Sequence, residues 1–374
     1  MENRVTKIRQ RLGNIGSAVV LGIMIFVAIA LIANRDRLTA DAISRAWNYR
    51  TLGTAQQAEE FLFQDYFSNT FALLDDSIAV ASVSGLRVYD RTGTIAHREI
   101  FSMNRPVVES SSTRALAYDL GGTGIAVASA WETLWHTAWE GAIIDARVND
   151  NDWLVISSER VGTRGVVTVL NPNFQRTFEV RIVTGYLMGA VLAPDNRTLA
   201  ILTMTDRGGQ ILWYHTDGEE PYSQYLREDT LFFDLWFTTG GNLMAISSDG
   251  IVSLTDAGTA AFEERFADQY LRAYSGHNTG AAVYLTPYPN SMEGTLIHLT
   301  HSGRERAMDV RGELLDISLN ERYLAALFFD RLVLYRDGRE YAAWDGTEGM
   351  TRVLPRSDGS VFRFSSHRAK LLVP

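Results

Sequence analysis

Residues 211–218 read Ile-Leu-Trp-Tyr-His-Thr-Asp-Gly, an apolar strand pattern that runs directly into an Asp-Gly turn. The same combination returns at residues 86–93 (LRVYDRTG) and 167–173 (VTVLNPN). Three further copies occupy residues 251–258, 296–303 and 332–338. Hairpin turns need a backbone with positive φ, which Gly and Asn adopt at low cost. Each copy therefore predicts a β-strand that ends in a hairpin.

The copies recur about every 41 residues, with one step of 80 residues counted as two periods. A second pattern, a polar turn that leads into a strand of Ala, Leu and Val, has the same period. Its copies lie at residues 112–117, 151–155, 196–200, 241–245 and 320–325. Repeats of about 40–45 residues are typical of β-propellers, in which each repeat is a four-stranded blade. We expect the Ala-rich strands to be inner strands, where converging blades leave little room.

Seven such units fit between residues 67 and 349, and residues 350–374 supply only two or three more strands. This remainder predicts a closed ring, in which a strand within residues 58–64 completes the last blade. Closure removes the sheet edges that otherwise invite aggregation. The sequence thus predicts an all-β, eight-bladed propeller over residues 57–374, with seven blades as the alternative.

The N-terminal part contains nineteen consecutive residues without a charge, residues 15–33. As a helix they span roughly 28 Å, close to the hydrocarbon thickness of a bilayer. We predict an uncleaved transmembrane helix behind a basic cytoplasmic stub, residues 1–14, and before a linker helix, residues 34–56. A cleaved signal peptide is the alternative, although its apolar region is normally shorter. The expected location is the cell membrane, with the propeller outside the cytoplasm.

One turn carries a resemblance to known propellers. Ala193-Pro194-Asp195-Asn196, before a small apolar strand, is similar to the Ser-Pro-Asp-Gly turn of WD40-like and quinoprotein-like blades. The Gly-His and Trp-Asp pairs of true WD40 repeats do not recur. Together with the apolar N-terminal stretch, the chain resembles membrane-anchored bacterial propellers of unknown function. The resemblance implies a fold and a topology, and it implies no activity.

Three short motifs contain residue types that could form sites, and each is better explained as a turn. His298 and His301 flank one turn on opposite faces of a strand, which makes shared zinc ligation awkward. Residues 149–152 (NDND) are rich in oxygen ligands but lack the spacing of a calcium loop. Residues 121–124 (GGTG) lie between two strands and do not open a helix, so they predict a hairpin. The sequence therefore predicts no catalytic, cofactor-binding or metal-ligating residue.

The remaining candidates are three tryptophans spaced four residues apart, Trp131, Trp135 and Trp139. On one strand they would share a face, and an exposed aromatic row can bind a protein or stack on sugar rings. Large aromatic side chains are more often buried, so packing between two blades is the competing interpretation.

Charge and composition limit the function classes. The chain has no cysteine, which excludes disulfides and thiolate sites, and its net charge is −9. Residues 57–374 are more acidic still, which disfavours nucleic acid as a partner.

The main hypothesis is a membrane-tethered module that binds or scaffolds a protein or glycan. The alternative is a propeller-channel enzyme, a quinone-cofactor dehydrogenase or a sugar-active enzyme. A structural envelope component without a ligand is the third hypothesis.

Overall fold

The computed structural model describes residues 60–63, 68–75, 77–90 and 92–374, and all regular structure in these ranges is β-strand. The strands form eight four-stranded antiparallel sheets, which are the blades of a propeller. The first four blades contain β2 (Thr70–Leu74), β3 (Ser77–Ser82), β4 (Gly85–Tyr89), β5 (Ile95–Glu99); β6 (Pro106–Ser110), β7 (Ala115–Asp119), β8 (Gly124–Ala128), β9 (Thr133–Ala138); β10 (Ile143–Val148), β11 (Leu154–Ser158), β12 (Gly165–Leu170), β13 (Arg176–Ile182); and β14 (Tyr186–Leu192), β15 (Thr198–Thr205), β16 (Gly208–His215), β17 (Ser223–Glu228).

The next three blades continue in chain order, and blade 8 combines both ends of the ring. These blades contain β18 (Phe232–Phe237), β19 (Leu243–Ser247), β20 (Gly250–Leu254), β21 (Ala260–Arg265); β22 (Tyr270–His277), β23 (Gly280–Thr286), β24 (Glu293–Thr300), β25 (Gly303–Arg311); β26 (Leu314–Asn320), β27 (Tyr323–Phe328), β28 (Arg331–Arg336), β29 (Arg339–Asp345); and β30 (Arg352–Pro355), β31 (Val361–Phe364), β32 (Arg368–Leu372), β1 (Glu60–Leu62).

The ring closes through β1, which pairs antiparallel with β32 and places Phe61 opposite Ala369. Phe61 is 2% exposed, and its ring lies 5.7 Å from the ring of Phe362. The prediction that a strand within residues 58–64 completes the last blade is confirmed, and so is the count of eight blades. Closure makes both ends of the propeller domain depend on one short strand.

The four strands of each blade define two faces of the propeller. An even number of antiparallel strands returns the chain to the end where it started, so every blade begins at the same end. We call this end the top face. It carries the connections between blades and between the second and third strands. The bottom face carries the turns between first and second strands and between third and fourth strands.

The apolar core lies between neighbouring blades. Trp213 of blade 4, for example, is fully buried in a cluster with Phe232 and Phe237 of blade 5. The Ala-rich strands predicted from the sequence are the second strands, such as β7, β19 and β27, and each of their residues is buried. They are not the innermost strands. A strand buried on both faces needs small and aliphatic side chains, whereas the first strands also carry polar residues towards the axis.

The predicted segments 1–14, 15–33 and 34–56 lie outside the described residues, so their topology stays a prediction. Among the residues that are described, no helix has the length and hydropathy that crossing a bilayer requires.

Candidate functional site

The first strands of blades 3 to 7 share a β-bulge near the top face. In each strand one extra residue lies between two paired residues, so two residues oppose one on the second strand. The extra residues are Ile144, Met188, Phe233, Arg272 and Leu315. A bulge redirects side chains that would otherwise alternate between the two faces of the blade. Its repetition in five consecutive blades indicates a built feature of the channel mouth.

Three of the bulge residues are large, apolar and exposed. Met188 is 40% exposed, Phe233 is 44% exposed and Leu315 is 37% exposed. Exposed neighbours at the starts of blades 4, 5 and 6 extend them. The apolar arc consists of Tyr186, Met188, Leu231, Phe233, Tyr270 and Leu315. Because these blades follow one another around the ring, the arc covers one side of the channel mouth.

The exposed apolar side chains are distributed unevenly between the faces. Besides the arc, the top face exposes Leu62, Val83, Ile100, Val161, Val183, Tyr288, Met292 and Phe329. In the described residues, the large exposed apolar side chains at the bottom face are Ile95, Trp131 and Tyr222. Contiguous exposed apolar surface on a folded domain marks interaction sites. The top face is therefore the candidate interaction surface.

Below the arc, an axial cluster of charged side chains crosses the channel. Arg147 of blade 3 donates from Nη2 to Oδ1 of Asp234 in blade 5 at 3.0 Å, and from Nε to both carboxylate oxygens of Asp145 at 3.1 Å. Its Nη1 lies 3.6 Å from Oε1 of Glu109 in blade 2. Contacts between blades 2, 3 and 5 are possible only inside the ring. Blade 4 leaves room for them with Gly189, where a Cβ would lie 2.9 Å from Oδ2 of Asp145.

The axial cluster combines low hydration with strong charge pairing. Burial raises the pKa of Glu109 and of Asp145, while the Arg147 guanidinium works against this rise. Burial alone would lower the pKa of Arg147, yet the surrounding carboxylates raise it well above its usual value. Two tyrosines complete the cluster: Tyr118 donates to Oδ1 of Asp145 at 3.3 Å and Tyr274 donates to Oδ2 of Asp234 at 3.1 Å.

The cluster and the arc are in contact. The ring of Phe233 lies 5.5 Å from the ring of Tyr274, which in turn holds Asp234. A second axial pair lies between blades 7 and 8, where Arg352 donates to Asp316 at 2.9 Å. Burial raises the pKa of Asp316, opposed by Arg352. Polar side chains of the channel, including the axial cluster, thus lie directly below the apolar arc.

Sequence reasoning missed both the arc and the cluster, although a signal for them exists. Two apolar residues followed by Asp occur at the starts of β10, β18 and β26, at residues 143–145 (IID), 232–234 (FFD) and 314–316 (LLD). The same pattern also occurs at strand ends, for example at residues 73–75 and 328–330. Each of the three triplets at a strand start places one buried or half-buried residue, one bulge residue and one axial carboxylate. The triplets lie in alternate blades, two repeat periods apart.

At the bottom face, turns of different blades bond to one another through polar side chains. Residues 149–152 form the turn between β10 and β11. Asp152 accepts a hydrogen bond from Ser111 of the preceding blade at 2.5 Å. Asn149 donates to Asn196 of the following blade at 2.7 Å. In the part of the chain that is described, no group of three or more His, Cys, Asp or Glu side chains could hold a metal ion.

Further turn-to-turn bonds continue around the bottom face. Asn278 of blade 6 donates to Asp150 of blade 3 at 3.1 Å, and its carbonyl accepts from the backbone N–H of Thr239 at 2.7 Å. Nδ1 of His277 accepts from the backbone N–H of Thr279 at 3.2 Å and of Glu321 in blade 7 at 3.4 Å. Burial lowers the pKa of His277 to about 4, although Asp150 acts in the opposite direction. The histidine is therefore a neutral acceptor at pH 7.

The structure does not bring Trp131, Trp135 and Trp139 onto one exposed surface. Trp131 lies in the turn before β9 and is 73% exposed. Trp135 stacks on Phe174 of blade 3 at 5.3 Å between ring centroids. Trp139 is 9% exposed, and its Nε1 donates to Ser158 at 3.1 Å. The latter two pack between blades 2 and 3, and a binding role for the row stays an untested prediction.

The other two motifs are turns or ordinary strand residues. Residues 121–124 connect β7 to β8 as a hairpin. Nδ1 of His298 lies 2.8 Å from Oε2 of Glu305 in the neighbouring strand, whereas His301 lies in the turn that follows β24.

Comparison with known proteins identifies a family and supports the fold. A family model described as "Family of unknown function (DUF5711)" matches residues 48–266. Comparison with curated protein sequences gives no significant match. Among solved structures, BamB from Moraxella catarrhalis is 14% identical with a TM-score of 0.55, covering 85% of this chain and 99% of its own.

Two further structures share the architecture. The C-terminal WD40 domain of Sif2 is 13% identical with a TM-score of 0.63, covering 86% of this chain and 100% of its own. The quinohemoprotein alcohol dehydrogenase ADHIIG from Pseudomonas putida HK5 is 10% identical with a TM-score of 0.54, covering 84% and 75%. At these identities the similarity supports the fold alone.

Proposed function

The chain belongs to DUF5711, a family of unknown function, and we propose that it is a binding module whose propeller holds a protein partner on its top face. The observation that carries this proposal is the apolar arc. Five consecutive blades use the same bulge, and three of them thereby keep Met188, Phe233 and Leu315 in solvent. Burying such side chains against a partner would be favourable, and their grouping on consecutive blades supports an interaction role.

The membrane tether is the second part of the proposal. Residues 15–33 are charge-free and long enough to cross a bilayer, and the stub before them is basic. The propeller begins with β1, an outermost strand that starts at the bottom face and runs towards the top. The chain therefore enters the propeller at the end opposite to the arc. We propose that residues 15–33 tether the chain to the membrane and that the propeller lies outside the cytoplasm.

The channel-enzyme alternative would place its chemistry in the axial cluster. There, the carboxylates of Asp145 and Asp234 are both bonded to Arg147, and each also accepts from a tyrosine. Groups that satisfy one another in this way hold blades 2, 3, 5 and 6 together. Their arrangement supports a structural role below the arc more than an acid–base pair.

The binding proposal can be tested with paired substitutions on the two faces. The full-length chain is purified from its host as the parent, as Phe233→Ser/Leu315→Ser, and as the bottom-face control Trp131→Ser/Tyr222→Ser. Quantitative mass spectrometry measures the proteins that co-purify. We expect a stoichiometric partner that the top-face variant loses and the control retains. Equal retention by both variants would contradict the proposal, and a bound chromophore in the parent would favour the enzyme.

The tether has its own test. Protease added to intact spheroplasts should digest the propeller and leave the N-terminal segment in the membrane. Full protection of residues 34–374 would contradict the proposed location.

A further inference from the structure

Acidic side chains recur beside the apolar arc. The connections that lead into blades 5, 6, 7 and 8 each contain one exposed carboxylate: Asp229, Asp268, Glu313 and Glu348. Within the described ranges, none of the four makes an ion pair or a side-chain hydrogen bond. They lie between the arc residues around the ring, since Leu231, Tyr270 and Leu315 each follow one of them by two residues.

Backbone conformation accounts for the acidic residue at only two of these four positions. Asp229 and Asp268 have φ of 55° and 56°, a left-handed conformation that Asp tolerates better than most residues. Glu313 and Glu348 are not among the residues with positive φ. Their charge therefore has no local conformational reason.

Basic side chains on the same face do not cancel these charges. Arg164 is placed over the ring of Tyr186 at 4.6 Å, and Arg272 is the exposed bulge residue of blade 6. Arg207, in the turn between β15 and β16, is paired with Glu228. Three further arginines are exposed on this side, but each is paired with a carboxylate outside the set of four: Arg265, Arg311 and Arg352. The four carboxylates therefore outnumber Arg164 and Arg272, and this side of the mouth combines apolar surface with negative potential.

We infer that the occupant of the arc is a segment of a protein partner in which apolar side chains are interspersed with Lys or Arg. The inference rests on the proposed function and adds the chemistry of the partner. Apolar side chains of the segment would cover Phe233, Leu315 and their neighbours, and its cations would lie against the four carboxylates. Complementary charge at a rim steers encounter and rejects partners of the wrong sign. An anionic membrane surface is disfavoured by the same charges.

The test uses three fluorescent peptides of equal length with identical apolar residues and Lys, Ser or Glu at the polar positions. Their binding to the purified full-length chain is measured by fluorescence anisotropy at low and high salt. We expect the Lys peptide to bind on the order of tenfold more tightly than the Glu peptide at low salt, with the difference shrinking as salt screens the charges.

Neutralising the four carboxylates should remove this preference. The variant is Asp229→Asn/Asp268→Asn/Glu313→Gln/Glu348→Gln, in which Asn keeps the tolerance for positive φ. The matched control removes four exposed charges from the bottom-face side: Glu219→Gln/Glu220→Gln/Asp256→Asn/Glu340→Gln. The control should retain the preference of the parent for the Lys peptide. An unchanged preference in the top-face variant would overturn the inference.

The remaining outcomes separate this inference from the proposed function. Equal binding of all three peptides that is lost in Phe233→Ser/Leu315→Ser would keep the binding face and overturn the basic partner. Peptide binding that is insensitive to Phe233→Ser/Leu315→Ser would overturn the inference and the proposed function. The same conclusion would follow if no peptide binds and no partner co-purifies. A dimer of the chain that the same pair abolishes, or a cross-link from residue 315 to residues 1–14, would assign the arc to a second copy or to the chain itself and overturn the inference.

Discussion

The two faces of the propeller differ in the side chains that they expose, although backbone hydrogen bonds join connections at both faces, as between Gly122 and Ile143 at the top face. At the bottom face, polar turns bond to the turns of neighbouring blades, as Asp152 does to Ser111 and Asn149 to Asn196. At the top face, connections and strand starts keep apolar and acidic side chains in solvent. If the proposed binding function is correct, the exposed side chains of the top face serve recognition, and the side-chain bonds between bottom-face turns serve stability. Substitutions should then affect stability at the bottom and binding at the top.

The largest expected effect comes from opening the ring, on which both faces depend. Deleting residues 57–63 removes β1 and the buried ring of Phe61, and it exposes an edge of β32. Losing a buried Phe side chain alone costs about 3–5 kcal/mol, so the deletion should lower the free energy of unfolding by more than this. Urea unfolding provides the measurement, with deletion of residues 50–56 as the control. Equal stability of the two deletions would contradict closure.

A second pair of variants compares a buried tryptophan with an exposed one. Trp139→Ala removes an almost fully buried side chain and its hydrogen bond to Ser158, and should cost about 3–5 kcal/mol. Trp131→Ala removes an exposed side chain, and should change stability by less than about 0.5 kcal/mol. Thermal melts of the two variants measure the difference. Similar melting temperatures would refute the packing of Trp139 between blades 2 and 3.

The bottom face should carry a pH dependence through His277. Its pKa is lowered to about 4 in the folded state, whereas the unfolded chain binds the proton near pH 6.5. Its contribution is therefore present above pH 6.5 and is lost as the pH falls towards 4, by up to about 3 kcal/mol. His277→Gln should lack this component in urea unfolding at pH 7.0 and pH 4.5. An identical pH dependence of variant and parent would show that His277 titrates normally.

For a variant of the axial cluster, lowering the pH should restore stability instead of reducing it. Arg147→Met leaves Glu109, Asp145 and Asp234 without their shared cation, and should cost roughly 1–3 kcal/mol at pH 7. Glu109 and Asp145 already have raised pKa values, so the folded variant takes up protons more readily than the unfolded chain. The lost stability should return as the pH is lowered towards 5. A deficit that stays constant with pH would mean that the carboxylates do not face one another.

A small loss of stability is expected at the apolar arc. Phe233→Ser and Leu315→Ser replace side chains that are only partly buried, so each should lower the free energy of unfolding by about 1 kcal/mol, well below the cost of Trp139→Ala. Urea unfolding of both variants checks this expectation. A loss of several kcal/mol would mean that these side chains belong to the core, and the contrast between the faces would fail.

The sequence predicted the fold better than the site, and the reason is physical. Turns such as Ala193-Pro194-Asp195-Asn196 repeat because the backbone demands them: Asp195 accepts from the N–H of Arg197 and Thr198, and Asn196 has a φ of 60°. Ring closure followed from an incomplete last unit. These features depend on local chemistry and on counting, both of which a single sequence contains.

The site depends on the register in which the strands pair, and this register is difficult to predict from a single sequence. Bulges shift the alternation of side chains, so Phe233 and Leu315 read as core residues until their pairing is known. Trp131, Trp135 and Trp139 do not share one exposed surface for a related reason. Spacing of four implies one face only along one strand, and β9 covers Thr133–Ala138 alone, so Trp131 and Trp139 lie beyond its ends.

The most direct test of the central claim is a photo-cross-linking comparison of the two faces in living cells. A photoreactive phenylalanine analogue is placed singly at residues 233, 270 and 315 on the top face and at residues 95, 131 and 222 on the bottom face, all of which are exposed in the structure. We expect the three top-face positions to cross-link to the same protein and the three bottom-face positions not to do so. Cross-links to one protein from the bottom face, with none from the top, would contradict this expectation.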